Sequence, residues 1–295
     1  MNYPTIKQLR YFIALVEKNH FGQAATSCFV SQSAFSVAIK ELEITLNGQL
    51  VDRTNKSVTV TTLGREVYSQ AKIVISELSE LVNISQGNKE PLSSKLSLGI
   101  IPTIAPFLLP QFIFKLQDKY KDLELFLNED ITQNLYDKLI RGDLDVLLIA
   151  LPYALKNVET CSLFRDKFYL TYSESSKWIE SKGKSIKVSD DSILLLEDGH
   201  CMRDHTLSAC KIKNQNTISH YIASSILTLI EMVKIDVGVT YLPEMSLKSS
   251  MLKNTNLITQ QIDNGYRDIG LVWRKGSSRS KEFQLLGQFI KNNIS

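Results

Sequence analysis

The sequence predicts an α/β protein in which a small helical unit with a β-hairpin, then one long helix, precede a larger region of alternating strands and helices. Three observations predict it. Apolar residues recur every three or four positions through the first sixty residues. A narrow apolar seam continues that period over 63–82. From Lys95 onward, short Leu-, Ile- and Val-rich runs alternate with helical stretches.

The totals bound the possibilities. The 295 residues are 43% hydrophobic and 22% charged, a globular composition with room for a small and a larger domain. Four cysteines are too few for a disulfide scaffold of this size. The start MNYPTIKQLRYF has no apolar core followed by a small-residue cleavage site. The richest apolar run, Val146–Leu151, stops at Pro152, short of the ~18 residues a membrane helix needs. A cytoplasmic protein with no membrane partner and reduced thiols is expected. The net charge of +3 permits nucleic-acid binding without arguing for it.

In IKQLRYFIALVEK, residues 6–18, Ile6, Leu9, Phe12, Ile13 and Val16 share one helical face. Ala24 and Ala25 are small enough for a neighbouring helix to approach closely. Ser31 stands where an N-cap belongs, ahead of a helix whose inner stripe is Phe35, Ile39, Leu42 and Leu46, and Gly48 suits its C-terminal cap. Two short helices, a tight turn and a third helix opening on hydroxyl and amide residues make a helix-turn-helix. Gln32, Ser33 and Ser36 lie where side chains reach base edges in a major groove, with Gln23, Ser31 and Lys40 beside them. DRTNKSVTVTTLG alternates like a hairpin, and Arg53 and Lys56 near its tip would grip phosphates as a wing does. Any three-helix domain shows such stripes, so pattern alone leaves DNA binding open.

Over 63–82, Leu63, Val67, Ala71, Val74, Leu78 and Leu81 form the seam, while Glu66, Lys72, Glu77 and Glu80 occupy other faces. Such a helix wants a partner: its own copy in a dimer, or the surface of the next domain. SQGNKEPLSS, residues 85–94, reads as a hinge. The expected domains are 1–62, a linker and dimerisation helix 63–86, a hinge 87–94 and a regulatory region 95–295. In the last of these, KLSLGII, LELFLN, DLDVLLIAL, FYLTYS, SILLLE, VGVTYL and DIGLVW look like strands, many of them parallel. Ligand clefts in such folds lie beyond the carboxyl ends of strands. Thr103 and Cys201 each stand in such a loop. Neither loop carries a glycine-rich phosphate fingerprint, and no common hydrolase, zinc-protease or C-x-x-C motif is present.

The segment LEDGHCMRDHTLSAC holds Cys201 and Cys210. His200, Arg203 and His205 are close to Cys201 in sequence, and positive neighbours near a helix start lower a thiol's pKa. A thiolate attacks peroxide, and a second thiol converts the resulting sulfenic acid to a disulfide. If 203–210 belongs to a continuous helix, Cys201 and Cys210 stand roughly 13.5 Å apart along its axis. A disulfide needs Cα atoms about 4.4–6.8 Å apart, so closure would require unwinding. Two ordinary buried thiols remain the alternative, as expected for Cys28 and Cys161. Cys201, His205 and Cys210 would offer three zinc ligands only at an uncommon spacing.

FGQAATSCFVSQSAFSVAIKELE through DRTNKSVTVTTLG resembles the LysR-type transcriptional regulators. IPTIAPFLLP, LEDGHCMRD with a second cysteine nine residues after the first, and RDIGLVWRKGS resemble the peroxide-sensing members of that family, in the same order. The resemblance implies a winged helix-turn-helix, a linker helix and two Rossmann-like subdomains (95–165 with 268–295, and 166–267) similar to type 2 periplasmic binding proteins. It implies a non-enzymatic regulator with no cofactor or metal, acting as a homodimer that assembles to a homotetramer on promoter DNA with RNA polymerase, and hydrogen peroxide as its signal. By the same resemblance Cys201 is the peroxidatic thiol and Cys210 the resolving one. Thr103, Thr132, His200, Arg203, Asp204, His220 and Arg267 would surround Cys201, with Arg267 or Arg203 stabilising the thiolate and Asp204 orienting them. The chain departs from the family where proline commonly follows SQ, here Ser33, and at Val37, Ala38, Ile235 and Asp236. A regulator of the same architecture that senses a small metabolite, a thiol peroxidase, and a ligand-binding module without a DNA role are the rival readings.

Overall fold

The computed structural model describes residues 3–53, 58–85, 90–182, 185–189, 191–209, 212, 217–253 and 255–294. The chain divides into two compact units, Met1–Glu90 with Ile140–Asp143, and Pro91–Leu139 with Leu144–Ser295.

In the first unit, α1 (Ile6–Lys18) opens on a capping box between Thr5 and Gln8 and closes at Asn19 in the left-handed conformation. Helices α2 (Phe21–Ser27) and α3 (Gln32–Thr45) follow, joined by a turn in which Phe29 has φ +57°. Strands β1 (Val51–Arg53) and β2 (Val58–Val60) pair antiparallel, then α4 (Thr62–Ser85) begins. Phe35, Ile39 and Leu42 are buried on α3 as expected, and Ala24 and Ala25 are buried beneath them. Tyr11 stacks on Phe35 with ring centroids 5.0 Å apart, and Phe21 meets the same ring edge-on. Two expectations need correction. The buried face of α1 is Tyr11, Phe12 and Leu15, while Ile6 is exposed, because the helix turns its aromatic side toward Phe35. At the end of α3, Asn47 takes the left-handed residue expected of Gly48, and the Asn47 and Gly48 N–H groups donate to Ile44 and Glu43 carbonyls. Gly48 is kept small by Leu63, whose Cδ2 occupies the place of a Cβ.

In the second unit, β3 (Lys95–Ile100), α5 (Ala105–Lys119), β4 (Glu124–Glu129), α6 (Thr132–Ile140) and β5 (Val146–Leu151) form a parallel layout in which β3 lies between β4 and β5. Two long strands, β6 (Val158–Ser173) and β12 (Leu257–Arg274), then run antiparallel to each other. Residues 269–274 of β12 pair with 158–164 of β6 in one lobe, and 257–261 with 169–173 in the other. The second lobe adds a small hairpin (Ile179–Lys182, β7; Ser185–Val188, β8), β9 (Ile193–Leu196), α7 (Cys201–Ala209), β10 (Ile218–Ala223), α8 (Ile226–Lys234), β11 (Thr240–Pro243) and α9 (Glu244–Leu247). Helix α10 (Ser280–Asn293) closes the chain. The large sheet runs β11–β6–β12–β5–β3–β4, so the expected parallel pairs (β3 with β4 and β5, β9 with β10) coexist with antiparallel ones at β6, β11 and β12. Long strands that pass between lobes and return make this mixture unavoidable.

Cys161 and Cys28 are half-buried against their cores rather than fully buried. Asp236, one of the unusual residues, has φ +55° just after α8, and its carboxylate accepts from Ser176 Oγ and the Lys177 N–H while its carbonyl accepts from Trp178 Nε1. Asp236 thus clasps residues 176–178 through polar contacts.

Gly238 lies where a Cβ would meet the Ser192 carbonyl and Leu194 Cγ, the two residues whose backbones hydrogen-bond to Val239. Gly238→Ala is expected to cost about 2 kcal/mol, read as a lower midpoint of chemical unfolding.

Candidate functional site

The N-terminal end of α3 presents exposed Gln32 and Ser33, with Lys40 exposed two turns on and Ser36 half-buried. Ser31 is occupied as the cap: its Oγ accepts from the Ala34 N–H and shares a hydrogen bond with Ser33 Oγ. Gln23 is exposed on α2. The side chain of Arg53 and the whole of Lys56 lie outside the described residues, so the wing contacts stay an expectation. Phe29 was not singled out by its sequence, yet its ring is 95% exposed in the turn before α3.

The second site forms where β6 and β12 cross. Asp166 and Arg267 face each other across the two strands. Arg267 Nε donates to Asp166 Oδ2 at 3.0 Å, Nη1 to Thr103 Oγ1 at 2.9 Å and Nη2 to the Thr103 carbonyl at 3.0 Å. The Met245 N–H donates to the other Asp166 oxygen, and Met245 sulfur lies 3.7 Å from Nη2. Burial pushes the Asp166 carboxyl up from its ordinary value, while Arg267 and the Met245 N–H pull it back. Arg267 is thus a fully buried cation whose hydrogen bonds join loop 101–104, the crossing strands and the start of α9.

Cys201 is the first residue of α7, carries a free thiol and is 3% exposed. Burial pushes this thiol up. The Thr132 hydroxyl, the Arg267 charge and the Ala150 N–H favour its anion, and Asp204 opposes it. The expectation that sequence neighbours would lower the pKa is therefore corrected. The groups that favour the thiolate come from α6, β12 and β5, far away in sequence, and desolvation outweighs them. Thr132 Oγ1 is buried without a hydrogen-bond partner of ordinary geometry. His205, one turn along α7, is also buried. Its Nε2 meets the Pro152 carbonyl at 3.0 Å, and Nδ1 has no partner among the described residues. Burial holds the His205 pKa below its ordinary value, with the Pro152 carbonyl opposing and Arg267 assisting.

Thr103, Thr132, Arg267 and Cys201 are therefore brought together, and the other residues named from the sequence are not. Arg203 turns back to the end of β9, donating to the Leu196 carbonyl and pairing with Asp198 at 3.0 Å, because two residues past Cys201 is the opposite side of the helix. Asp204 is exposed and disfavours the thiolate instead of orienting arginines. His200 is buried but faces Glu197, at 3.7 Å. His220 is 94% exposed on β10, beside Asp191. Cys210 lies outside the described residues. Asp166, Met245, Ala150 and the role of His205 were missed. Asp166 sits in FRDKFYL among other charged residues, with nothing local to distinguish it, whereas His205 carried the one available signal, its place four residues after Cys201.

A winged helix-turn-helix ahead of a two-lobed regulatory unit, with a polar site at the lobe crossing, defines a one-component DNA-binding transcription regulator. Residues 6–65 match the family described as bacterial regulatory helix-turn-helix protein, lysR family, and residues 89–295 match the LysR substrate binding domain. The chain belongs to the LysR family of transcriptional regulators. It is 35% identical over 290 residues to the HTH-type transcriptional regulator EstR of Acinetobacter baylyi, covering 98% of this chain and 96% of that one. It is 32% identical to a hydrogen peroxide-inducible genes activator of Haemophilus influenzae, covering 98% and 97%. A full-length OxyR from Pseudomonas aeruginosa with a cysteine-to-aspartate substitution superposes with a TM-score of 0.80 at 30% identity, covering 99% and 96%. No helix among the described residues is long and apolar enough to cross a membrane.

Two outcomes test this geometry. Asp166→Asn should destabilise by about 3 kcal/mol, since it strands a buried cation, while Arg203→Ala should cost under about 1 kcal/mol; urea unfolding separates them. His205 has a depressed pKa, so the unfolded chain binds the extra proton first as pH falls below 6.5. Stability is expected to drop through that window, and His205→Gln should flatten the drop in a thermal-melt series.

Proposed function

We propose that the chain is a hydrogen-peroxide-responsive regulator that binds promoter DNA and activates transcription, with Cys201 as its sensor. The observation that carries this reading is the group around the free Cys201 thiol. The buried Thr132 hydroxyl and a guanidinium held by Asp166 and Thr103 converge there. Such a group can hold a small polar molecule against sulfur and stabilise the charge that develops on it. Thr103 Oγ1 accepts from Arg267, which leaves its own proton to donate.

Cys201 attacks one peroxide oxygen, the O–O bond breaks, and sulfenic acid and water result. Cys210 then attacks the sulfenic sulfur, releasing a second water and closing a disulfide. The described part of α7 runs unbroken from Cys201 to Ala209, roughly 12 Å of axial rise. Cys201 leaves that helix to meet Cys210, so oxidation remodels segment 199–212 and the subunit arrangement with it. Segment 63–86 pairs two chains, two dimers join as a tetramer, and the shift repositions the DNA-binding units on their half-sites and toward RNA polymerase. Gln32, Ser33 and Lys40 face the DNA, with Gln23, Ser36, Arg53 and Lys56 in support.

The second reading is a regulator that senses a small metabolite between the lobes. It is favoured by the burial that raises the Cys201 pKa and by the relative named EstR.

Thiol trapping with mass analysis, before and after a stoichiometric dose of peroxide, decides between them. Rapid loss of two thiols, mapped to a Cys201–Cys210 link and abolished in Cys201→Ser, is expected. Thiols that stay alkylatable in large excess overturn the peroxide reading in favour of the metabolite.

A further inference from the structure

The peroxide chemistry leaves a proton to be moved, and one buried group of α7 is unused by it. The Pro152 carbonyl can only accept, so the His205 Nε2 that meets it at 3.0 Å carries the hydrogen. Burial keeps the ring neutral. Nδ1 is then a bare lone pair, buried and without a partner among the described residues. A buried acceptor left unpaired costs free energy, and in an active centre it marks where a ligand or proton arrives. The placement agrees. Residues four apart on a helix are neighbours on one face, with Cβ atoms about 6 Å apart, and Cys201 and His205 are four apart on α7. Both ends of that turn are tethered to the same stretch of backbone. The Ala150 N–H favours the Cys201 anion and the Pro152 carbonyl holds His205. The charged groups facing the ring are Arg267 from β12 and Asp204 on α7 itself.

We infer that His205 is the proton carrier for Cys201, its Nδ1 taking the thiol proton as sulfur attacks and returning it to the departing oxygen. This rests on the peroxide reading and supplies its missing step. Sulfur gives an electron pair to the nearer peroxide oxygen, the O–O bond breaks and hydroxide leaves. The proton held on Nδ1 passes to that hydroxide. Sulfenic acid, water and a neutral imidazole remain; sulfur is oxidised by two electrons and peroxide is reduced. Carrying the proton on a neutral base suits this site, because it spares a dry pocket that already holds Arg267 from a second lasting cation. It also reconciles a thiol whose pKa is raised at rest with the need for a thiolate in the reaction.

The experiment follows Cys201 in the full-length reduced protein by mass spectrometry, once with hydrogen peroxide and once with iodoacetamide, in water and in heavy water across pH. His205→Gln keeps a donor for Pro152 and removes the base; His205→Asn serves if Gln does not fold. Both reagents are expected to modify the wild-type thiol more slowly in heavy water, and the variant is expected to react on the order of 100-fold more slowly with the heavy-water effect gone. Unchanged rates and an unchanged heavy-water effect in the variant overturn the inference. Alkylation needs no peroxide, so a wild-type thiol that alkylates with His205 dependence but ignores peroxide defeats the peroxide reading and upholds the proton carrier.

Discussion

The Asp166–Arg267 pair is the constraint on which the regulatory unit depends. It stands where the two long strands cross between lobes, 1–2% exposed, with Arg267 also clamping both polar atoms of Thr103 it can reach. Two charges taken out of water are expensive, and their attraction repays the cost only when the geometry is good and the remaining valences are filled. Here the Met245 N–H fills the second carboxylate oxygen, and Thr103 accepts from both terminal nitrogens of the guanidinium. The pair therefore joins the register of β6 against β12 to the loop after β3 and the start of α9. A hydrophobic pair would hold the strands as firmly but would place no charge near sulfur.

That charge is what turns a packed crossing into a chemical site. Cys201 would be an inert buried thiol if desolvation acted alone. Arg267, Thr132 and Ala150 each act against desolvation, and none is near Cys201 in the chain. The thiol is consequently protected at rest and supplied with the groups an anion needs once a small polar molecule arrives. The same burial leaves His205 Nδ1 without a partner among the described residues, a cost that the fold carries elsewhere, in the apolar sheet formed by Leu147, Leu148, Ile149 and their neighbours.

Much of the architecture was legible in the sequence because local rules generate it. The α3 stripe at three- and four-residue spacing, the Ser31 cap, the short apolar strands from Lys95 on and the polar segment before them each follow from the periodicity of one element. The inner face of α1 does not follow from apolar spacing, because Tyr11 carries a hydroxyl and is less apolar than Ile6, whereas ring stacking on Phe35 decides which side turns inward. The C-cap of α3 was assigned to Gly48 because glycine pays least for a left-handed turn, yet asparagine tolerates it and Leu63 needed the space.

By itself the sequence determined the order of elements and the helix-turn-helix, and its resemblance to a family implied that Cys201, Thr103, Thr132 and Arg267 gather in one place. Only the tertiary structure decided which charges reach the thiol. Closeness along the chain suggested His200, Arg203 and His205, but Arg203 turns toward the end of β9, His200 faces Glu197, and burial disfavours the charged form of His205. Asp166 and Arg267 lie 101 residues apart and meet because antiparallel strands pair residues from opposite ends of a unit. Contacts of that separation follow from sheet register and lobe closure, which no local pattern of residues encodes.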